Sequence, residues 1–250
     1  VLCRVTLIVV FAAQLIVMHR KMKLFAKLSL LSLIVIFLYS SWVIFTARQY
    51  TINTVLVNEQ TTQYPLQLSS LSERQIKILI QVEDPNFFTH NGVDFVTPGA
   101  GITTISQSLV KQLYFKKFKP GIAKFKQTII AYFVLDPLMS KEQQLTRFIN
   151  KIYLGNGAEG FEQASNTYFH KRFSEISEDE YISLVAMIIA PNTFNIEKHP
   201  ERNKQRIQRI KLLIDGQYIP KGLCDLYYGK INKSFTDELP RFSYFESYYN

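Results

Sequence analysis

Glu83 opens the run EDPNFFTHNG, in which Asp84, Phe87, Phe88, His90 and Gly92 follow within a few positions. The chain then passes through GITTISQSLVKQ (Gly101 to Gln112) and a lysine-laden stretch ending in AKFKQ (Ala123 to Gln127). An acid set among aromatic rings can carry a raised pKa and accept a proton. Hydroxyls and amides along one helix face can hold a polar ligand, and clustered ammonium groups can hold an anion. The order suits a reaction that deprotonates one hydroxyl and draws off an anionic leaving group.

These residues need elements to position them. Ser72 and Gln75 form an S-x-x-Q capping box with Leu71 and Ile76 as hydrophobic staple, so a helix starts there. Its apolar stripe runs Ile76, Leu79, Ile80, and the next position on that face is Glu83, just before Pro85 interrupts the helix. A solvated glutamate at a helix end and a part-buried base both remain open readings. Thr103 or Thr104 starts the next helix, with Gln107 as capping partner of Thr104. Thr104, Gln107 and Lys111 share one of its faces, which serves either a sugar or phosphate ligand or simply solvent. Lys111, Lys116, Lys117, Lys119, Lys124 and Lys126 are interleaved with Tyr114, Phe115, Phe118 and Phe125. That mixture fits a surface at lipid headgroups as well as a soluble basic face.

The rest of the chain restricts where such chemistry happens. Its 250 residues hold one domain of ordinary size plus an anchor. The formal charge of +9 is compatible with nucleic acid, anionic lipid or a diphosphate. Leu28 to Ala47 is uncharged and matches the ~20 apolar residues that span a bilayer. Arg20, Lys21, Lys23 and Lys27 precede it and Arg48 alone follows closely, so the positive-inside bias puts the N-terminus in the cytoplasm. Nucleic acid is then excluded as a partner. The run exceeds the ~7–15 residues of a cleaved signal's apolar region, so it reads as an uncleaved signal anchor. Val5 to Met18 is too short to span and contains Gln14, which points to a start at Met18 or Met22. Cys3 and Cys224 lie on opposite sides of the span, so neither a disulfide framework nor a structural zinc is expected.

Gln49 to Ser70 reads as a polar extended stalk with one short strand around Thr54 to Val57. Ile122 to Leu135 is an apolar helix ended by Pro137. Capping boxes at Ser140/Gln143 and Ser177/Glu180 open two more helices, halted near Gly155 and Pro191. Pro200 to Ile214 is amphipathic, with Ile207 and Ile210 inside and Arg202, Arg206 and Arg209 outside. No alternating pattern of strand length interrupts the series, so the fold class is mainly α. The expected division is a tail over 1–27, the span over 28–47, a stalk over 48–70, a domain over 71–214 and an aromatic extension over 215–250.

The order of motifs resembles the peptidoglycan glycosyltransferases, glycosyltransferase family 51. The family's E-D-x-x-F-x-x-H-x-G is met in full by Glu83, Asp84, Phe87, His90 and Gly92. Its G-x-S-T-I-T-Q-Q-x-x-K-N is met by Gly101, Thr104, Ile105, Gln107 and Lys111, with Thr103, Ser106, Ser108 and Gln112 as replacements. Its R-K-x-x-E keeps Lys124, with Ala123 and Gln127 where Arg and Glu are usual. Its E-L-Y-L-N-x-x-Y-x-G keeps Asn150, Tyr153 and Gly155 but has Thr146 for Glu. The segment VDFVTPGA between the first two motifs is shorter than usual. The resemblance covers roughly 71–214.

What the resemblance implies is a lysozyme-like fold behind one membrane helix, polymerising lipid II on the outer face of the bacterial cytoplasmic membrane with inversion. Glu83 would be the general base, and Lys111 and Lys124 would hold the departing diphosphate. Thr103 and Ser108 would line the cleft, and Asp84, Phe87, His90, Gly92, Thr104, Gln107 and Asn150 would complete the substrate site, His90 bracing the loop. Gln127 stands at the second catalytic position, where the family's Glu assists directly or through a divalent cation such as Mg or Mn. It can hydrogen-bond but carries no charge, so no metal ligand is assigned. On this reading Gln127→Glu preserves or raises activity. Partners would be lipid II, the growing glycan strand, membrane lipid and a separate transpeptidase. Two other readings stand beside it. One is a silent scaffold that binds the lipid-linked precursor; the other is a strand-cutting hydrolase, in which the lysines would meet no anion.

Overall fold

A computed structural model describes residues 2–94, 96, 97, 103–119 and 121–219, and side chains from Met18 onward. Gly101, much of the segment joining the first two motifs, both cysteine side chains and positions 220–250 of the aromatic extension lie outside the described residues. The chain divides into two compact units, 1–46 and 47–250.

The first unit is helical throughout its described length and belongs to helix α1, Leu2–Tyr50. Leu30, Leu31, Leu33 and Phe37 are each more than half exposed. A helix in a soluble core would bury such side chains, whereas a bilayer solvates them on every side. Among the described residues, one helix, Met18–Thr61, is long and apolar enough to cross a membrane.

The second unit is mainly helical, and its described residues hold no strand beyond an isolated bridge between Tyr153 and Glu159. It begins with helix, not with an extended stalk. A π-helical turn, Thr51–Val55, leads into α2, Leu56–Thr61. The strand expected around Thr54 to Val57 is absent there, because Thr51 and Val55 bury inward at helical spacing. β-propensity yields to packing at this site. The segment is strapped down: Glu59 pairs with Arg147, and Asn150 bonds Leu66 through both its backbone N–H and its carbonyl, at 3.1 and 2.8 Å.

Four capping boxes start four helices at the expected serines and threonine: α3 (Glu73–Glu83), α4 (Ile105–Tyr114), α7 (Lys141–Lys151) and α9 (Glu178–Val185). Between them lie α5 (Ile122–Ile130), a π-helical turn (Ala131–Leu135), the short α6 (Asp136–Leu138) and, after α7, α8 (Gly160–Phe169); α10 (Pro200–Ile214) closes the series. The helical run continues one residue beyond Pro137, to Leu138, before Met139 turns extended, so it ends beside the proline. α7 stops at Lys151 and α9 at Val185, each short of the glycine or proline expected to halt it.

The buried interior comprises Leu79 and Val82 of α3, Leu109 and Val110 of α4, Leu145 and Ile149 of α7, and Leu184 and Val185 of α9. Phe161, Phe173 and Tyr181 pack as an aromatic trio at 5.4–6.0 Å. The Tyr181 hydroxyl donates to the Gln75 carbonyl at 2.9 Å, tying α9 to the first turn of α3. α10 corrects one orientation. Its inward face is Asn203, Arg206 and Ile210, so Arg206 is buried, not outside.

Candidate active site

Glu83 is the last residue of α3 and is 9 % exposed. Burial pushes its carboxyl up to about 7; the Arg206 guanidinium opposes that rise and neighbouring Asp84 adds to it. Arg206 Nη2 lies 3.7 Å from Glu83 Oε1, close enough for charge attraction and too long for a hydrogen bond. Glu83 Oε1 accepts no hydrogen bond among the described residues. A carboxylate left unsatisfied in this way is costly to ionise and basic once ionised.

Asp84 has both oxygens engaged. Oδ1 pairs with His90 Nε2 at 2.9 Å, and Oδ2 accepts the Ile105 N–H at 2.9 Å. A carboxylate against a helix N-terminus meets unpaired N–H groups and the positive end of the helix dipole. Asp84 therefore fastens the end of α3 to the start of α4. Gly92 supplies a second fastening: its carbonyl accepts from Thr104 Oγ1 at 2.7 Å. At φ +79° its backbone is left-handed, and an added Cβ would stand 2.4 Å from the Ala131 carbonyl oxygen. The His90 carbonyl accepts from Lys141 Nζ, which also bonds Asp136, so the loop after Glu83 is held from beneath. Phe87 is fully buried under that ammonium, 4.8 Å from its ring centroid.

The two lysines lie along α4 rather than at one end of it. Lys124 Nζ donates to Thr103 Oγ1 at 3.2 Å, two positions before the N–H that Asp84 holds. Lys111 lies about 9 Å further along the α4 axis and stands 5.2 Å over the Phe118 ring. Burial lowers both amines to about 8, and the charge of Lys124 contributes at Lys111. Thr104 caps α4 and Gln107 completes the capping box, while Gln107 Nε2 reaches Thr128 at 3.1 Å. Ser108 is half-buried on the same helix. Glu83, Asp84, His90, Thr103, Lys111 and Lys124 are thus gathered about one helix.

Two of the expected residues are placed elsewhere. Asn150 is on α7, its side chain committed to the Leu66 backbone and the Thr146 carbonyl. Gln127 is 0 % exposed, and its Nε2 donates to the Gln107 carbonyl at 2.6 Å. It is a tie between α5 and α4. A divalent cation needs several oxygen ligands, usually with carboxylate charge. Gln127 offers one neutral amide oxygen, Oε1, buried without a hydrogen-bond partner among the described residues, which is neither several ligands nor a charge, and among the described residues no three His, Cys, Asp or Glu side chains cluster. The residues present do not fit Mg or Mn at this position. A groove of about 490 Å³ does open along α3, lined by Ile76, Ile80, Pro85 and Phe88 with Glu73, Lys77 and Gln81, and Glu83 is not part of it.

Arg206, buried beside Glu83, is the residue that sequence reasoning placed on the wrong side. The signal was present: Asn203, Arg206 and Ile210 fall at i, i+3 and i+7, the spacing of one helix face.

The chain is similar in sequence to several known proteins. The chain is 30 % identical to penicillin-binding protein 1A of Aquifex aeolicus over 189 residues, covering 70 % of this chain and 25 % of that protein. Against penicillin-binding protein 1F of Bacillus subtilis it is 29 % identical over 166 residues, covering 61 % and 23 %. Against penicillin-binding protein 1A of Neisseria flavescens it is 33 % identical over 141 residues, covering 51 % and 18 %. The chain spans about a quarter or less of the length of these relatives. The family model described as "Transglycosylase" matches residues 49–214, so the chain belongs to the transglycosylase family.

Proposed function

We propose that this chain is a peptidoglycan glycosyltransferase that polymerises lipid II with inversion at the outer face of the bacterial cytoplasmic membrane. The observation that carries the reading is Glu83: a buried carboxyl raised to about 7, one residue from an aspartate fastened to the helix that bears Lys111. In the step, Glu83 takes the proton from the acceptor sugar's 4-hydroxyl as that oxygen bonds to the donor's anomeric carbon. The bond from that carbon to the diphosphate breaks, and its electron pair leaves with the diphosphate, whose growing charge meets Lys111 and Lys124. A base near neutrality is ionised in part of the population at working pH and still strong enough to accept the proton.

On this reading the N-terminus is cytoplasmic and the second unit faces outward, where membrane lipid and a separate transpeptidase are its neighbours and nucleic acid is not. The lysines alone neutralise the diphosphate, since Gln127 supplies no charge. That amide also favours a second reading, a relative that binds the lipid-linked precursor without turning it over. Labelled lipid II, the purified chain in detergent and a gel of the products separate the two. Polymer from the wild type and none from Glu83→Gln supports the glycosyltransferase; tight binding with no chain growth supports the scaffold; unchanged turnover by Glu83→Gln overturns the assignment of the base.

A further inference from the structure

The start of the second unit bonds directly to the lysine-bearing helix. Thr51 is fully buried, and its hydroxyl lies 2.7 Å from the Ala47 carbonyl and 2.5 Å from the Tyr114 hydroxyl. A hydroxyl has one hydrogen to give. Thr51 gives its own to Ala47, so Tyr114 donates to Thr51 Oγ1. The Tyr50 ring meets the Tyr114 ring edge-on at 5.5 Å, which holds the tyrosine from a second side. This joint falls on the first residue of the π-helical turn Thr51–Val55, a local rewinding of the kind often found at functional sites.

Tyr114 is the last residue of α4, and Lys111 stands three positions before it, the spacing of neighbours on one helix face. α4 is fastened at its other end by Asp84 and Thr104, and in its middle by Gln127 on the Gln107 carbonyl and by Ser106 on Gln144 at 2.6 Å. The segment that supplies Thr51 is itself clamped further on, through Glu59 to Arg147 and Leu66 to Asn150 of α7. α4 is therefore held at its C-terminal end by a strap with its own fixed points.

We propose that Tyr114 is a positioning residue for Lys111: its hydrogen bond to Thr51 makes the segment following the membrane helix part of the diphosphate-binding apparatus. The inference rests on the glycosyltransferase reading for its substrate but not for its geometry. Burial accounts for the lowering of Lys111, so loosening the end of α4 admits water to that amine and moves it back up. A bond that only stabilised the fold would change the fraction of active protein and leave the amine where it is.

The test uses the full chain in detergent, comparing wild type, Tyr114→Phe and Thr51→Val, with Thr51→Ser as the variant that keeps the hydroxyl. Lipid II turnover is followed across neutral and alkaline pH, beside melting temperatures. The expected result is about tenfold lower kcat for Tyr114→Phe and Thr51→Val with KM changed less than about twofold, since a small misplacement at a reacting centre costs that much or more. The alkaline limb, set in the wild type by Lys111 and Lys124 together near 8, should become shallower in both variants, falling with one proton instead of two, and keep its wild-type shape in Thr51→Ser. A fall in melting temperature with the limb unchanged in shape, or unchanged kcat, overturns the proposal. Should the wild type make no polymer, the glycosyltransferase reading fails by itself, and the joint is read from binding of a polyprenyl diphosphate. Tyr114→Phe must then weaken that binding and shift its pH dependence, and equal binding by wild type and variant, or none by the wild type, overturns it.

Discussion

Arg206, 0 % exposed on α10, sets its guanidinium 3.7 Å from the carboxyl of Glu83 at the end of α3, across a gap that neither residue closes with a hydrogen bond to the other. The pair is poised between two demands. Burial drives Glu83 toward neutrality, and the arginine keeps its ionised form within reach. Arg206 also lies 5.3 Å over the Phe194 ring, which fixes the cation's height.

Removing that cation while keeping bulk should raise the acid further. Arg206→Met is expected to move the acid limb of kcat/KM above about 7 and to destabilise the fold by about 3 kcal/mol, as breaking one side of a buried pair commonly does. A pH–rate profile and a denaturant titration check the two effects separately. An unmoved limb would mean that the guanidinium does not act on Glu83.

Wild-type activity should occupy a narrow bell. Glu83 must be ionised, which requires pH above about 7, while Lys111 and Lys124 must be protonated, which requires pH below about 8. Lipid II polymerisation measured at constant ionic strength gives the profile. A broad plateau extending well below 7 would contradict a base in this environment.

Stability has its own pH signature at the same residue. The folded pKa of about 7 exceeds the ordinary value of 4.5, so between those limits the folded state binds more protons than the unfolded one. This contribution therefore weakens as pH rises from about 4.5 to about 7, by at most on the order of 3 kcal/mol. Glu83→Gln should flatten that slope in thermal melts while lowering turnover about 10²–10⁴-fold. A wild-type slope retained in the variant would place the titration elsewhere.

From its motif position alone, Gln127→Glu is expected to preserve or raise activity. In the folded chain the substitution removes the donor to the Gln107 carbonyl and buries a carboxylate where Gln127 is 0 % exposed. The expected outcome is destabilisation by about 2–4 kcal/mol and reduced turnover, with no rescue by added Mg or Mn. Melting temperature and product gels with and without each cation check it.

Gly92→Ala brings a Cβ to 2.4 Å from the Ala131 carbonyl oxygen, in a left-handed backbone that alanine resists. The variant should lose about 3 kcal/mol or more, read as a fall in the denaturant midpoint. An unchanged midpoint would show that the loop after Glu83 can shift freely.

Much of this molecule is legible in one dimension because its determinants are local. Each capping box needs only a serine or threonine and a partner three residues on, and the boxes at Ser72, Thr104, Ser140 and Ser177 all form. Helical spacing likewise sets Glu83 on the line of the apolar stripe, but a solvated helix end fitted that spacing as well, and only packing decided that the carboxyl is buried. What sequence could not decide were matters of partnership across the chain. Thr54 to Val57 has strand-like residues, yet packing of Thr51 and Val55 makes the segment helical. Arg206 reads as a surface charge until α3 brings Glu83 to meet it from more than a hundred residues away. Gln127 reads as a catalytic substitution until the crossing of α4 and α5 commits its amide to Gln107. Helix starts follow from neighbours along the chain, whereas a buried charge or amide takes its role from groups that only folding brings near.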